Sequence, residues 1–259
     1  MAGLLEGRIA LVTGGDSGIG AACALALAGQ GAAVAMLYFA DETAAGRTKQ
    51  AVEAAGAKAI ALQADVGDEA AVEAAFTAAR AALGVPNLLV NSAGLNMSDV
   101  PVADMALAQW ERMLRTDLTG PFLTSRALVR GLRDAKQPGR IVNISSIHGQ
   151  AVRAGGADYC SAKAGLENLT RTMAIECAPL GITVNAIAPG MILTPMNRRA
   201  QEDAAYRASL ERNIPVGRAG RPEEVGDLAV YLCSDAAAYI TGAILPIDGG
   251  LSLEAALGA

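Results

Sequence analysis

Apolar residues in this chain gather into short runs that do not alternate with polar ones: IALVT (9–13), AVAMLY (33–38), AIAL (59–62), NLLVN (87–91), RIVNIS (140–145), ITVNAIA (182–188) and AILPI (243–247). Runs of this length, partly β-branched, suit strands buried on both faces. Between them the apolar spacing changes to three and four. In DEAAVEAAFTAARAAL (68–83), Val72, Phe76, Ala79 and Leu83 would line one face of a helix. Strand and helix therefore alternate, which predicts βαβ units and an α/β fold: a doubly wound parallel sheet of about seven strands with helices on both faces. No linker, charge run or internal repeat divides the chain, so residues 1–259 read as a single domain. The rhythm breaks at 191–214, which is polar and helical without a clear strand. Following the sixth strand, at the edge where such sheets bind ligands, this segment is a candidate substrate lid.

Composition narrows the functions. With 21 Lys and Arg against 26 Asp and Glu, a net charge of -5, the chain lacks the basic surplus of a nucleic-acid binder. Hydrophobic residues make up 52%, enough for a large core. No apolar stretch approaches the ~18 residues of a membrane span, so a soluble protein with no membrane partner is expected. The start, MAGLLEGRIALVTGG, lacks the features of a signal peptide, which makes the cytoplasm the expected location. The four cysteines are scattered without a CxxC pair, and one histidine cannot build a His-rich zinc site; no disulfide framework and no metal are expected. The G-x-S-x-G turn of an α/β-hydrolase is also missing.

The first strand runs into TGGDSGIG (13–20) and then directly into the helix-forming stretch AACALALAG. In such a turn Gly14 allows a tight bend, Gly18 lets a diphosphate approach backbone N–H groups, and Gly20 lets the helix pack closely, with the helix N-terminus favouring the anion. The spacing G-x-x-x-G-x-G resembles that of the short-chain dehydrogenase/reductase family. Further matches follow in that family's order: Asp65-Val66, NSAG (91–94), Ser146, Tyr159 and Lys163 in YCSAK, PGMILT (189–194) and ITGAILPIDGG (240–250).

Tyr159 and Lys163 stand at i and i+4, so a helix places them on one face. An ammonium beside a phenol stabilises the phenolate and lowers a pKa that starts near ~10, giving a base usable near neutrality. The resemblance implies a Rossmann-type fold and an NAD(P)-dependent oxidoreductase. In it Tyr159 transfers the substrate hydroxyl proton, Ser146 holds the substrate oxygen, and Lys163 binds the nicotinamide ribose. It further implies that Gly14, Asp16, Ser17, Gly18, Ile19, Gly20 and Tyr38 line the cofactor, that Asp65 and Val66 flank the adenine, that Asn91, Ala93 and Gly94 follow the ribose, and that Pro189, Gly190, Ile192 and Thr194 approach the nicotinamide and diphosphate.

The fourth family position departs from the pattern. Most relatives have Asn in a stretch like N-L-T-G, whereas this chain has Asp117 in RTDLTG. Asp keeps the backbone carbonyl that, by resemblance, holds a water in a proton relay to Lys163, but it loses the amide donor. A charged Asp117 would favour protonated Lys163 and shift the pH dependence. Trp110 reads as a packing residue on the helix leading to it.

Neither usual rule for cofactor choice is met, because Tyr38, Phe39 and Ala40 stand where an acid or a base is expected. Asp16, Asp41 and Glu42 add negative potential, opposed only by Arg47 and Lys49, and the balance favours NAD over NADP. For substrate, SSIHG (145–149) and ILTPMN (192–197) resemble bacterial aldose 1-dehydrogenases of the family. His148, Asn96, Arg153 and Asn197 could contact a hydroxyl-rich small molecule. A sugar dehydrogenase is therefore expected. The alternatives are a 3-oxoacyl carrier-protein or broad ketone reductase, with Arg198, Arg199, Arg207 and Arg212 as a docking patch, and a catalytically silent NAD(P)-binding relative. Members of this size imply a homotetramer.

Overall fold

The computed structural model describes residues 3–254. In chain order the sheet elements are β1 (Ile9–Thr13), β2 (Ala33–Tyr38), β3 (Ala59–Gln63), β4 (Leu88–Asn91), β5 (Gly139–Ile144), β6 (Ile182–Pro189) and β7 (Ile244–Ile247). All seven predicted runs are strands, with ends within a residue or so of those expected. They form one sheet in the order β3-β2-β1-β4-β5-β6-β7, and every pairing is parallel.

The helices α1 (Gly18–Gly29), α2 (Glu42–Ala54) and α3 (Glu69–Leu83) alternate with the first strands. Asp68 accepts the Ala71 N–H and so fixes the start of α3. After β4 come α4 (Leu107–Leu114), a single π-helical turn (Arg115–Thr119) and α5 (Gly120–Ala135), then α6 (Ala157–Cys177) after β5. The segment after β6 holds α7 (Arg198–Glu202) and α8 (Ala204–Glu211), followed by α9 (Pro222–Cys233) and, past β7, α10 (Leu251–Glu254).

Two cores explain the unbroken apolar runs. On one face Ala10, Val12, Met36 and Val90 pack with Cys23, Ala24 and Leu27 of α1 and Val225 and Ala229 of α9. On the other, Leu11, Leu37, Leu89 and Ile141 pack with Phe76 of α3, Leu128 and Leu132 of α5 and Met173 of α6. Successive strand residues face opposite cores, so no position along a central strand can be polar without cost. Segment 191–214 contains no strand, as its pattern predicts; its one β-bridge, from Ile192 to Gly220, lies outside the sheet. Among the described residues no helix is long and apolar enough to cross a membrane.

Strand order reverses between β1 and β4: β2 and β3 extend one way from β1, while β4 to β7 extend the other. The two ends are level, with Thr13 paired to Asn91. A crevice opens above these carboxyl ends, the place where doubly wound sheets bind ligands.

Candidate active site

The chain leaves β1 at Thr13 and turns back sharply into α1. Gly14 has φ of 63°, and a Cβ on it would lie 3.0 Å from the Ala93 backbone. At Gly20 a Cβ would lie 2.0 Å from the Gly14 carbonyl oxygen, so the helix can start against its own loop only with glycine there. Ser17 at the N-cap makes no side-chain cap bond and the first turn carries no acid, which leaves the leading N–H groups of α1 open to an anion. The hydroxyl of Thr13 accepts N–H bonds from Ser92 and Ala93, each at 3.0 Å, and locks the loop after β4 to the glycine turn. Thr13 heads the motif 13–20, but nothing local in the sequence marks its hydroxyl as the tie to the loop after β4.

A cavity of about 910 Å³ runs across the switch point. From the β2 and β3 side it is lined by Asp16, Ser17, Gly18, Ile19, Tyr38, Asp65 and Val66. Gly14, Gly20, Ala93 and Gly94 line its floor, and Pro189, Gly190, Ile192 and Thr194 line the β6 side. An extended cleft with a glycine cradle beside an uncapped helix N-terminus fits a dinucleotide. Asp65 accepts the Gly67 N–H at 2.8 Å and faces Arg115 at 3.6 Å, so its carboxylate shapes its own turn.

The structure does not bring the Asn91 side chain to the cleft. Its side chain is buried beneath the cleft, donating to Ser125 Oγ at 3.0 Å and Asn143 Oδ1 at 2.8 Å and accepting from Thr124 Oγ1 at 2.6 Å. It ties β4 to β5 and α5, and does not line the cavity where a ribose would lie.

Ser146, Tyr159, Lys163 and Asp117 converge at the same cleft. Ser146 follows β5 and caps a short 3-10 turn, its Oγ accepting the His148 N–H at 3.2 Å. Its neighbour Ser145 donates to buried Glu167 at 3.2 Å, and the other oxygen of Glu167 accepts from Gln150 at 3.1 Å. This carboxylate on α6 pins the loop that carries Ser146, a link between distant residues that no local pattern showed.

One helical turn of α6 separates Tyr159 from Lys163, whose Nζ lies 5.5 Å from the Tyr159 ring centre. Lys163 is 5% exposed and donates to the Ile144 carbonyl at 3.1 Å. Asp117, 0% exposed, sits in the π turn between α4 and α5, where the widened backbone aims it inward. Its Oδ1 accepts the Leu95 N–H at 2.8 Å, and its Oδ2 lies 3.1 Å from Lys163 Nζ. Burial pushes the Asp117 carboxyl up, against the pull of Lys163 and the Leu95 N–H. Burial alone would lower Lys163, but Asp117 and Tyr159 outweigh it and hold the ammonium above the usual lysine range.

The four expected substrate contacts are spent on the protein itself. Asn197 accepts the Thr194 N–H at 2.8 Å and donates to the Ile192 carbonyl at 2.6 Å, closing the turn after β6. Asn96 donates to the Met196 carbonyl at 3.2 Å and accepts the Met97 N–H at 2.9 Å. His148 bonds the Ala151 carbonyl through Nδ1 at 2.6 Å, and its ring stands edge-on to Tyr159 with centres 6.4 Å apart. Arg153 pairs with Asp99. Asn96 and Asn197 line the cavity; His148 and Arg153 do not. Trp110 is half-buried on α4.

Elsewhere, all four cysteines are buried, and burial pushes Cys233 up to about 12, away from any thiolate role. Among the described residues no three His, Cys, Asp or Glu side chains gather to hold a metal.

Known proteins agree with this geometry. A family model described as enoyl-(acyl carrier protein) reductase matches residues 14–252. The chain is 41% identical over 249 residues to 3beta-hydroxysteroid dehydrogenase 1 of Eggerthella lenta, covering 96% of this chain and 95% of that one. It is 42% identical over 243 residues to cis-4-hydroxycyclohexanecarboxylate dehydrogenase of Sinomonas cyclohexanicum, covering 94% and 96%. A solved structure titled 2-deoxy-d-gluconate 3-dehydrogenase, from Agrobacterium tumefaciens with bound NADP, superposes with a TM-score of 0.86 at 36% identity, covering 95% of this chain and 97% of that one. The chain belongs to the short-chain dehydrogenase/reductase family and is an NAD(P)-dependent oxidoreductase.

Proposed function

We propose that the protein interconverts a secondary alcohol and its ketone on an apolar, ring-like framework, with Tyr159 as the proton-transferring residue. The nicotinamide cofactor, when bound, supplies the hydride acceptor in oxidation and the donor in reduction. Tyr159 takes the hydroxyl proton in oxidation and returns it to the carbonyl oxygen in reduction. Ser146 holds that oxygen by a hydrogen bond, and the Lys163 ammonium favours the phenolate form of Tyr159. Asp16, Ser17 and the glycine turn would hold the cofactor diphosphate and ribose.

The observation that carries the apolar reading is the fate of Asn96, His148, Arg153 and Asn197, each engaged within the protein. A site built for a sugar needs free polar groups facing it, because each buried hydroxyl without a partner costs about 1–3 kcal/mol. The cavity lining instead presents Leu95, Pro195 and Met196, the last 54% exposed. The two named relatives, acting on a steroid and a cyclohexane alcohol, point the same way. Segment 191–214 is the lid that covers the substrate. The sugar reading is the second reading; it rests on the SSIHG and ILTPMN resemblances and on the likeness to a structure titled 2-deoxy-d-gluconate 3-dehydrogenase. A carrier-protein substrate is less favoured, because Arg198, Arg199 and Arg207 are occupied by Glu202, the Tyr206 ring and Glu211. By family resemblance the protein works in the cytoplasm as a homotetramer, which light scattering of the purified protein would test.

The test is reduced-nicotinamide absorbance with each cofactor against cyclic secondary alcohols, aldoses and polyols, with Tyr159→Phe as the blank. Turnover concentrated on the cyclic alcohols is expected. Turnover confined to aldoses would restore the sugar reading.

NAD is the favoured cofactor. At the end of β2 the cavity is lined by Phe39, Ala40 and Asp41, with Asp16 beside them, while Arg47 and Lys49 do not reach it. The two carboxylates oppose a 2'-phosphate, and the cavity-lining Arg115 is engaged by the Gly67 carbonyl and Asp65. Phe39→Arg is expected to raise the kcat/KM ratio of NADP to NAD about tenfold, the equivalent of about 1.4 kcal/mol. An unchanged ratio would show that this end of the cleft does not read the ribose.

A further inference from the structure

We propose that Asp117 is a positioning residue whose carboxylate neutralises Lys163 directly and so sets the pH at which Tyr159 can act as a base. The inference rests on the reading of Tyr159 given above. Its ground is geometric. Asp117 Oδ1 accepts the Leu95 N–H at 2.8 Å, a bond an asparagine carbonyl could make equally well. With that oxygen committed, the remaining group faces Lys163 Nζ at 3.1 Å. An asparagine in the same pose would turn its NH2 donor against an ammonium donor, so only a carboxylate fits this direct contact. Gly94 makes room for it: a Cβ there would lie 2.8 Å from Oδ2.

The charges around Asp117 are few. From α6 they are Lys163, Tyr159 and Asp158, whose negative charge opposes that of Asp117. Arg115, on the same turn, points outward, donating to the Gly67 carbonyl and facing Asp65. Glu111 and Arg112 of α4 are exposed. The stretch after β4 that packs on Asp117, SAGLNM, carries no charge.

The consequence for proton affinity has one sign. The working state of the oxidation reaction is the Tyr159–Lys163 pair with one proton removed. A buried negative charge beside the pair holds that proton more tightly, so Asp117 moves the acidic limb of alcohol oxidation to higher pH. Removing the charge moves it back, whichever partner releases the proton.

The experiment is the pH profile of kcat/KM for alcohol oxidation in wild type and Asp117→Asn, together with 13C NMR titration of labelled tyrosines and aspartates in the protein without substrate. The acidic limb is expected to fall by about one pH unit, read as roughly tenfold more turnover on that limb, within the range for a charge at contact distance. The Tyr159 signal should move to lower pH with it. In wild type the Asp117 carboxyl signal should be that of an ionised group across the neutral range. An unshifted or raised limb in an active Asp117→Asn protein overturns the inference. So does a protonated Asp117 at neutral pH, a readout that stands even if the variant does not fold. Retention of turnover by Tyr159→Phe would instead sink the reading of Tyr159, so the two failures are distinguishable.

Discussion

Tyr159→Phe is expected to lose about a thousandfold or more in kcat with either direction of reaction, while cofactor affinity changes less than about threefold. The substitution removes one oxygen. The ring that stands edge-on to His148 and near the Lys163 ammonium remains, so the helix face and the Asp117–Lys163 pair keep their packing. General acid–base transfer contributes ~10² to 10⁴ in rate, and the His148 ring nearby is tied to the Ala151 carbonyl and does not line the cavity. Ser146 is 7% exposed, and its Oγ already accepts the His148 N–H; its hydroxyl is too weak an acid to hold the proton's place. Stopped-flow measurement of a single turnover, with cofactor binding followed separately by fluorescence, would separate the two quantities. A kcat within tenfold of wild type would remove Tyr159 from the chemistry and would move attention to a water held by Ser146.

The fold was legible because burial on both faces leaves its mark in every central strand. Ala10, Leu11 and Val12 serve opposite cores in turn, so the run cannot alternate and cannot be mistaken for an exposed ribbon. The glycine turn was legible for a similar reason, since steric exclusion at Gly20 is written in one residue. What escaped was non-local. Asn91 belongs to a motif that borders the cleft, yet its amide is spent on Ser125 and Asn143, partners that only the paired strands bring to it. Asn197 and Asn96 looked free for a substrate because the carbonyls that occupy them, from Ile192 and Met196, are backbone groups with no signature in sequence. Asp117 was found by its departure from a pattern. Its contact with Lys163 depends on the π turn, which no side-chain periodicity encodes. The sequence suggested both a role for the backbone carbonyl and an effect of the side-chain charge on Lys163; the direct 3.1 Å approach of that side chain to the lysine could be read only from the fold.

That contact sets up the second large effect, on stability. Lys163→Met keeps most of the side-chain volume and removes the charge, leaving the Asp117 carboxylate 0% exposed with the Leu95 N–H as its remaining partner. Breaking a buried pair from one side typically costs about 3–5 kcal/mol, because the orphaned charge stays out of water. The cost carries a pH signature. Without the ammonium, burial raises the folded-state pKa of Asp117 far above the ~3.9 of the unfolded chain. Below that unfolded value the carboxyl is protonated in both states and the penalty vanishes. It grows as pH rises toward the folded-state pKa and is constant beyond it. Urea unfolding of wild type and Lys163→Met at pH 4 and pH 7 should therefore show a small difference at the lower pH and the full loss at the higher. The double variant Lys163→Met with Asp117→Asn should recover most of the loss at pH 7, since an uncharged amide replaces the orphaned carboxylate and still accepts from Leu95. Equal stability of the double and single variants would assign the loss to packing around the lysine stem, and the absence of any pH 7 penalty in Lys163→Met would mean that the pair is not ionised in the native protein.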